Sequence, residues 1–533
     1  MSIEAQAHVR LGAWPRPFAS IPRLSVYAWG TIVVAATFIG LTCWWLTVDR
    51  SIPIYDAGDH LETVIYYHHL IQTGDLLGPF NYTSQYPPLA HLVGVLGMFV
   101  GGVNVPSPII AENLVFVSLL VLGCYQTGRL LFGPAAGFLA AVFVLGSPLL
   151  IAQWHVFMLD APETALVAVS MWLLLASEDF ARTRVAAFAG LAVGAGLLVK
   201  VQFPFFLAGI VLTALARGGW RNWRGLAVFA AVALIVGAPW YIDHLSEFGT
   251  IAKLAGTHSG AVTGNLPSTF STANLTWYFW STLNSQLYAP LFALTLGGTI
   301  WTIFALVRDK EMRGPRLEFL IGGFVAWLVI SLTPHHDLRY DMPLMPYLAV
   351  IGTGWIVHLP RVPRFALGAF LGLAVAANTL STTFGVGGQV EAKLVGSPPT
   401  TEAFPDRVVF YSNHGFLVAG PQRDGDVPGL FNSLREAGVE VVAFYENQLE
   451  APDFSGEGLG PLAMIAGLRP SIETSLPTTM EAAVTVVHGP IASSSPAACT
   501  VLADGTGVWV LRRDPQSGAV VYYCPDRRPR YYG

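Results

Sequence analysis

Long apolar runs separated by short polar turns fill the first 385 or so residues. Runs fit to become membrane spans lie near 24–47, 109–131, 134–152, 163–177, 185–200, 203–217, 225–242, 287–307, 317–333, 343–360 and 364–381. Several fall short of the roughly 20 residues that a straight helical span needs. One more run, PPLAHLVGVLGMFVGG (87–102), is apolar but short. Beyond residue 385 the pattern changes to brief alternating stretches. RVVFYSN, VEVVAFYE, AAVTVVHG, GVWVLRR and AVVYYCP read as strands and FNSLREAG as a helix, which predicts a small α/β domain.

Charge fixes the sidedness of the spans. With 87–102 lying on the membrane surface and the N-terminus in the cytoplasm, fifteen basic residues fall in the inner segments: Arg10, Arg16, Arg23, Arg129, Arg182, Arg184, Arg217, Arg221, Arg224, Arg308, Lys310, Arg313, Arg316, Arg361 and Arg364. The outer loops before the tail hold four, Arg50, Lys200, Lys253 and Arg339. That asymmetry is the positive-inside bias; counting 87–102 as a span reverses it. The expected architecture is a polytopic α-helical membrane protein of about eleven spans. Residues 1–23 form a cytoplasmic N-terminus and 24–385 the membrane domain, with a large first outer loop at 48–108. Residues 386–533 form an extracytoplasmic domain. Trp44, Trp45, Trp154, Trp240, Trp277 and Trp280 then fall near the outer interface, as an aromatic belt would.

Composition agrees: 53% of the 533 residues are hydrophobic and 12% charged, with a mean hydropathy of +0.53. The net charge of -5 gives no footing for nucleic-acid binding. The first apolar run lacks a small-residue cleavage site after it and reads as a retained helix. Cys43 and Cys124 sit inside apolar runs as inert thiols. Cys499 and Cys524 flank GVWVLRR in the polar tail and are expected to form a disulfide if that tail meets an oxidising compartment.

The topology also gathers chemistry. Asp56, Asp59, His60, His155, Asp160, Lys200, His335, His336, Asp337 and Arg339 all come to the outer side. Groups converging on one membrane face suit a reaction there, whereas channels and proton-coupled carriers more often bury such groups at mid-membrane.

Five stretches carry a resemblance. IYDAGDH follows the first span and QYPPL (85–89) lies in the same loop. HVFMLDAPETAL (155–166) leads into one span, GLLVK (196–200) ends another, and HHDLRYDMPLMP (335–346) precedes a third. In content and order they resemble the GT-C membrane glycosyltransferases of the protein O-mannosyltransferase and lipid A aminoarabinose transferase type, over roughly residues 25–385. The resemblance implies transfer of a sugar from a polyprenyl-phosphate carrier to a glycan, lipid or protein acceptor at the outer face of the inner (plasma) membrane. It implies Asp56 as general base, Asp160 as the second acidic position, and Lys200 and Arg339 as ligands of the carrier phosphate. Many relatives have Glu directly after the first aspartate; here the residue is Ala57, and Asp59 and Glu62 lie three and six residues on, near the same helical face. Asp59 is therefore a further catalytic candidate. His60, His155, His335, His336 and Tyr340 are candidate substrate contacts.

Bland roles compete with each assignment. Asp56 and Asp160 are well placed as N-caps, Lys200 as a snorkelling cation, and Arg339 as the partner of Asp337 or Asp341. The histidines match no zinc pattern, so the metal is unspecified; a divalent cation bridging Asp56 and the phosphate stays open as cofactor. The tail shows no nucleophile elbow, P-loop or dinucleotide fingerprint. A glycolipid transporter or flippase is the alternative function, with a non-catalytic scaffold as a third.

Overall fold

The computed structural model describes residues 24–49, 51–53, 56–82, 86–245, 268–308, 313–333, 336–394, 403, 405–413, 427–436, 438–445, 456–473, 482–487, 500–501, 507–513, 520–522 and 530–531. His335, Cys499 and Cys524 lie outside them. Among the described residues the protein is mostly helical, with the strands confined to the C-terminal region.

Ser25 opens α1 (Val26–Val48) by accepting a hydrogen bond from the Ala28 amide at 3.2 Å, as an N-cap serine does. α2 (Asp56–Gln72) and α3 (Leu89–Gly101) follow. At 13 residues, α3 is about 20 Å long, too short to cross a bilayer. Its first amide donates to the Leu198 carbonyl at 2.9 Å. It turns back on α4 (Pro106–Phe132), which contains a π-turn at Asn113–Val117. Next come α5 (Pro134–Val144), a short helix at Pro148–Gln153, α6 (Asp160–Ala176), α7 (Thr183–Leu197), α8 (Ala208–Ala216) and α9 (Trp223–Asp243). α10 (Thr272–Arg308) is interrupted by a second π-turn at Thr282–Leu287. α11 (Arg313–Ser331), α12 (Met345–Gly354) and α13 (Arg361–Phe384) complete the bundle.

Among the described residues six helical segments are long and apolar enough to cross a membrane: Val26–Val48, Pro106–Phe132, Gly219–Asp243, Thr272–Arg308, Arg313–Ser331 and Arg361–Phe384. The apolar helices Leu89–Gly101, Pro134–Val144, Thr183–Leu197 and Met342–His358 are shorter. Some of the expected spans are thus composite. The run 134–152, for instance, is two helices broken before Pro148, where the missing N–H and fixed φ favour a new helix start. Apolar side chains such as Leu234 (60%) and Ile235 (73%) stand exposed on α9, as lipid-facing residues must. Helices approach closely where glycine permits: a Cβ at Gly123 would strike the Ala168 backbone.

The expected aromatic belt needs correction. Trp45, Trp154, Trp240 and Trp277 are buried inside the protein, while Trp44 is exposed. Three of the buried indoles lie against histidines: Trp240 stacks on His244 and Trp277 on His336, and Trp45 meets His155 at a tilt of 32°.

After α13 come β1 (Val390–Lys393) and β2 (Arg407–Tyr411), an antiparallel pair. α14 (Val427–Glu436), β3 (Val441–Tyr445), α15 (Gly456–Ile465), β4 (Arg469–Glu473), β5 (Ala482–Val487), β6 (Thr500–Val501), β7 (Gly507–Arg513), β8 (Val520–Tyr522) and β9 (Arg530–Tyr531) follow. β3–β9 form a mixed sheet of order β4-β3-β5-β7-β6-β9, with β8 beside β7. β4, β3 and β5 run parallel. The apolar faces of α14 and α15 share a core with Ile52 of the first loop, and α15 packs on α2. The sheet domain is thus seated on the helix that begins with Asp56.

Candidate active site

Four separated segments meet at one end of the bundle. Asp56 begins α2, Asp160 begins α6, Lys200 follows α7, and Arg339 lies in the turn between α11 and α12. Arg339 Nη1 donates to Asp56 Oδ2 at 2.9 Å. Its other edge grips Asp337 through Nη2 to Oδ2 at 2.7 Å and Nε to Oδ1 at 3.0 Å. The Arg339 amide also donates to Asp337 Oδ1 at 2.9 Å. Sequence places Asp337 two residues away, and the short turn folds it under the guanidinium in a fork matched to a carboxylate.

Lys200 Nζ donates to Asp160 Oδ1 at 2.6 Å in a buried pair. The N-cap of α6 is Leu159, so Asp160 uses its carboxylate on Lys200 and not on capping. Burial alone would push the Lys200 ammonium down, but Asp160, with Glu163 and Tyr86 beyond it, outweighs burial and holds it above the usual lysine range. The Tyr340 ring centroid lies 5.6 Å from Lys200 Nζ. Gln202 Nε2 donates to Glu163 Oε2 at 3.1 Å, which extends the polar patch one turn along α6.

His60 joins this cluster. One turn along α2 from Asp56, it is buried, with Nδ1 3.2 Å from His91 Nε2 and its ring edge-on to Tyr86 at 4.9 Å. Burial, then His91, Lys200 and Arg339, push it well below the usual histidine value, so it stays neutral. Burial pushes the Asp337 carboxyl up, but the hydrogen bonds and charge of Arg339 prevail and leave it below the usual range.

The remaining candidates stand apart. Asp59 lies on the exposed side of α2, where its charge acts on Tyr82. His155 packs at a tilt against Trp45 with centroids 4.1 Å apart, is 3% exposed, and is pushed down to about 3 by burial. His336 lies flat on Trp277 at 4.6 Å. Of the candidate histidines among the described residues, His60 thus belongs to the site, while His155 and His336 lie against indoles. Among the described residues no three His, Cys, Asp or Glu side chains come together in a metal-holding group.

The sequence reading missed Glu163, Gln202 and His91. For Glu163 a signal was present, since it lies three residues beyond Asp160 on one helical face. Nothing local marks His91, which reaches His60 only through the packing of α3 on α2.

Residues 85–242 match the model of the family described as dolichyl-phosphate-mannose-protein mannosyltransferase. That stretch holds Tyr86, His91, Asp160 and Lys200; Asp56 and Arg339 come from outside it. Among solved structures, the chain is similar to ArnT from Cupriavidus metallidurans in the apo state, at 18% identity over 66% of this chain and 64% of that one, with a TM-score of 0.48. It is also similar to the same protein bound to undecaprenyl phosphate, at 17% identity over 67% and 65%, TM-score 0.48. A third is the oligosaccharyltransferase AglB from Archaeoglobus fulgidus in complex with an inhibitory peptide and a dolichol-phosphate, at 10% identity over 83% and 64%, TM-score 0.49. The chain spans just under two thirds of the length of these relatives. No curated protein matches the chain significantly. The match over residues 85–242 bears out the resemblance carried by the motifs: this stretch is similar to the dolichyl-phosphate-mannose-protein mannosyltransferases, glycosyltransferases of the GT-C type.

Proposed function

We propose that the protein is a membrane glycosyltransferase that moves a sugar from a polyprenyl-phosphate carrier to an acceptor hydroxyl at the extracytoplasmic face. The observation that carries this reading is the convergence of two cations and three carboxylates from four chain segments: Arg339 on Asp56 and Asp337, Lys200 on Asp160. The family matched by residues 85–242 takes its name from a lipid-phosphate-linked sugar.

In this reading Lys200 and Arg339 bind the carrier phosphate and offset the charge that develops on it as the glycosidic bond breaks. Of the five N–H groups of Arg339, three are committed to Asp56 and Asp337, which leaves one on each terminal nitrogen for phosphate oxygens. Tyr340, close to Lys200, lines the same place. Asp56 accepts the proton of the attacking hydroxyl. His60, kept neutral, offers a hydrogen-bond partner to a sugar or acceptor hydroxyl. The extracytoplasmic side is assigned from the excess of basic residues in the other set of loops. A divalent cation joining Asp56 to the phosphate would compete with Arg339 for the same carboxylate, and activity measured across an EDTA titration decides between them.

The test is transfer from a radiolabelled polyprenyl-phosphate sugar by the purified protein in lipid nanodiscs, with Asp56→Asn as the comparison. Transfer by the wild type and its loss in the variant are expected. Lipid translocation without transfer from any such donor would overturn the enzymatic reading.

A further inference from the structure

A second polar network lies behind the Arg339–Tyr340 step. Asp341 is fully buried, and both its oxygens are used: Oδ2 accepts from Thr282 Oγ1 at 2.8 Å and Oδ1 from Gln286 Nε2 at 2.7 Å. Gln286 Nε2 also donates to the Leu338 carbonyl at 2.9 Å, and its Oε1 accepts from Ser147 Oγ at 3.2 Å. One side-chain amide therefore holds the chain at Leu338 and again at Asp341, on either side of Arg339 and Tyr340. Both residues of that pair are thereby fixed without being touched.

Thr282 and Gln286 lie on the π-turn Thr282–Leu287 of α10. Between them Asn284 reaches the β1–β2 pair. Its amide group donates to the carbonyls of Arg407 at 3.1 Å and Ala403 at 3.4 Å, and its Oδ1 accepts from the Val409 amide at 3.0 Å. These are the contacts by which one side chain extends the edge of a strand. The turn runs into Tyr288 at φ 51°, a strained conformation for a bulky residue that persists only when its surroundings demand it. π-turns re-aim side chains within a helix and recur at functional sites.

We infer that this π-turn is a positioning element that ties the phosphate grip to the β1–β2 pair that follows the last helix of the bundle. Asn284 anchors it to β2, Thr282 and Gln286 hold Asp341, and Asp341 with Leu338 sets where Arg339 and Tyr340 stand. Asn284, Gln286 and Asp341 are positioning residues acting through Arg339. The inference rests on the reading of Arg339 as a ligand of the donor phosphate.

The test uses the full chain in nanodiscs, undecaprenyl phosphate as the probe and tryptophan fluorescence to follow its binding. Asn284→Ala is expected to weaken probe binding about tenfold, the scale of one lost buried hydrogen bond, and to raise the donor KM while leaving kcat within about twofold. In an Arg339→Ala background the same substitution should have no further effect, because the two act through one group. Gln286→Leu should behave as Asn284→Ala does, and melting curves establish that both variants are folded. Unchanged binding in both folded variants, or an undiminished Asn284 effect without Arg339, overturns the link. Intact probe binding with no sugar transfer by the wild type overturns the enzymatic reading and leaves the link standing. No probe binding by the wild type overturns both.

Discussion

Arg339 joins two carboxylates that are distant in sequence, reaching Asp56 Oδ2 at 2.9 Å with Nη1 and Asp337 Oδ2 at 2.7 Å with Nη2. The Asp337 contact is a two-pronged fork that sets the plane of the guanidinium; the Asp56 contact is a single bond to a side chain 44% exposed. Such half-exposed pairs contribute little, on the order of 0–1 kcal/mol, so Asp56 is the partner that Arg339 can release. An incoming phosphate that takes Arg339 would free the Asp56 carboxylate for the acceptor hydroxyl. Donor binding would thereby switch on the base.

Asp56→Asn tests that order of events. The amide can still accept from Arg339 but cannot take a proton. Transfer should fall by about 10²–10⁴, the usual contribution of a positioned base. Binding of undecaprenyl phosphate should hold or tighten, since Arg339 is less strongly engaged. Steady-state kinetics set beside probe binding check both halves, and weakened binding at unchanged turnover would place Asp56 in donor recognition instead.

Arg339→Lys keeps the charge and removes the fork. A lysine ammonium can contact Asp337 or Asp56 but cannot lie in the plane that serves both and a phosphate together. The donor KM should rise by about tenfold or more with a smaller change in the acceptor KM. Equal effects on both substrates would argue that the arginine only maintains the turn.

The Lys200–Asp160 pair makes a different prediction because it is buried, with side chains 11% and 1% exposed. Removing one partner of a buried pair leaves the other charge uncompensated and costs about 3–5 kcal/mol. Asp160→Ala should therefore lower the melting temperature sharply as well as abolish transfer. Lys200→Met combined with Asp160→Ala should recover part of the stability and none of the activity. Melting in detergent and transfer in nanodiscs report the two separately.

Much of this arrangement was legible in the sequence because its parts are local. Apolar runs marked the helical regions, and the charged residues interrupting them marked the ends where Asp56, Asp160, Lys200 and Arg339 stand. The strands RVVFYSN, VEVVAFYE, AAVTVVHG, GVWVLRR and AVVYYCP correspond to β2, β3, β5, β7 and β8, and FNSLREAG to α14. What was hidden depends on distant packing. α15 (GEGLGPLAMI) carries three glycines and Pro461, residues of poor helix propensity, yet it is helical where it packs on α2. The His60–His91 contact and the Gln286–Asp341 bond join residues 31 and 55 positions apart. Three of the tryptophans placed at the interface by pattern, Trp45, Trp240 and Trp277, are instead buried against histidines, a pairing that no periodicity records.

Those pairings make a prediction about the histidines. His155 has both ring nitrogens buried without a protein hydrogen-bond partner among the described residues, and its ring lies against Trp45. A phenyl ring fills the same slot at no polar cost. His155→Phe should keep transfer within about twofold and leave the melting temperature unchanged or raised. His60→Phe should lower transfer substantially, because it removes a buried polar group that lies within the electrostatic reach of Lys200 and Arg339 and is held by His91. A large loss of activity in folded His155→Phe would instead return that residue to the substrate site.

Asp341 gives the pH dependence. Burial pushes its carboxyl up, and although Thr282 and Gln286 pull it back, it titrates at about 7 against an ordinary value of 3.8. Between these two values the folded chain binds more protons here than the unfolded chain does. This group's contribution to stability is therefore fully present below about pH 4 and is lost as pH rises to about 7. At 1.36 kcal/mol per unit the loss has a ceiling of about 4 kcal/mol. Asp341→Asn removes the titration and can keep the network, its carbonyl accepting from Gln286 and its amide donating to the Thr282 hydroxyl. Relative to the wild type, the variant should gain stability steadily as pH is raised from 4 to 7 and no further above that. Melting temperatures of both proteins across this range measure the difference, and parallel curves would mean that Asp341 carries the same charge throughout.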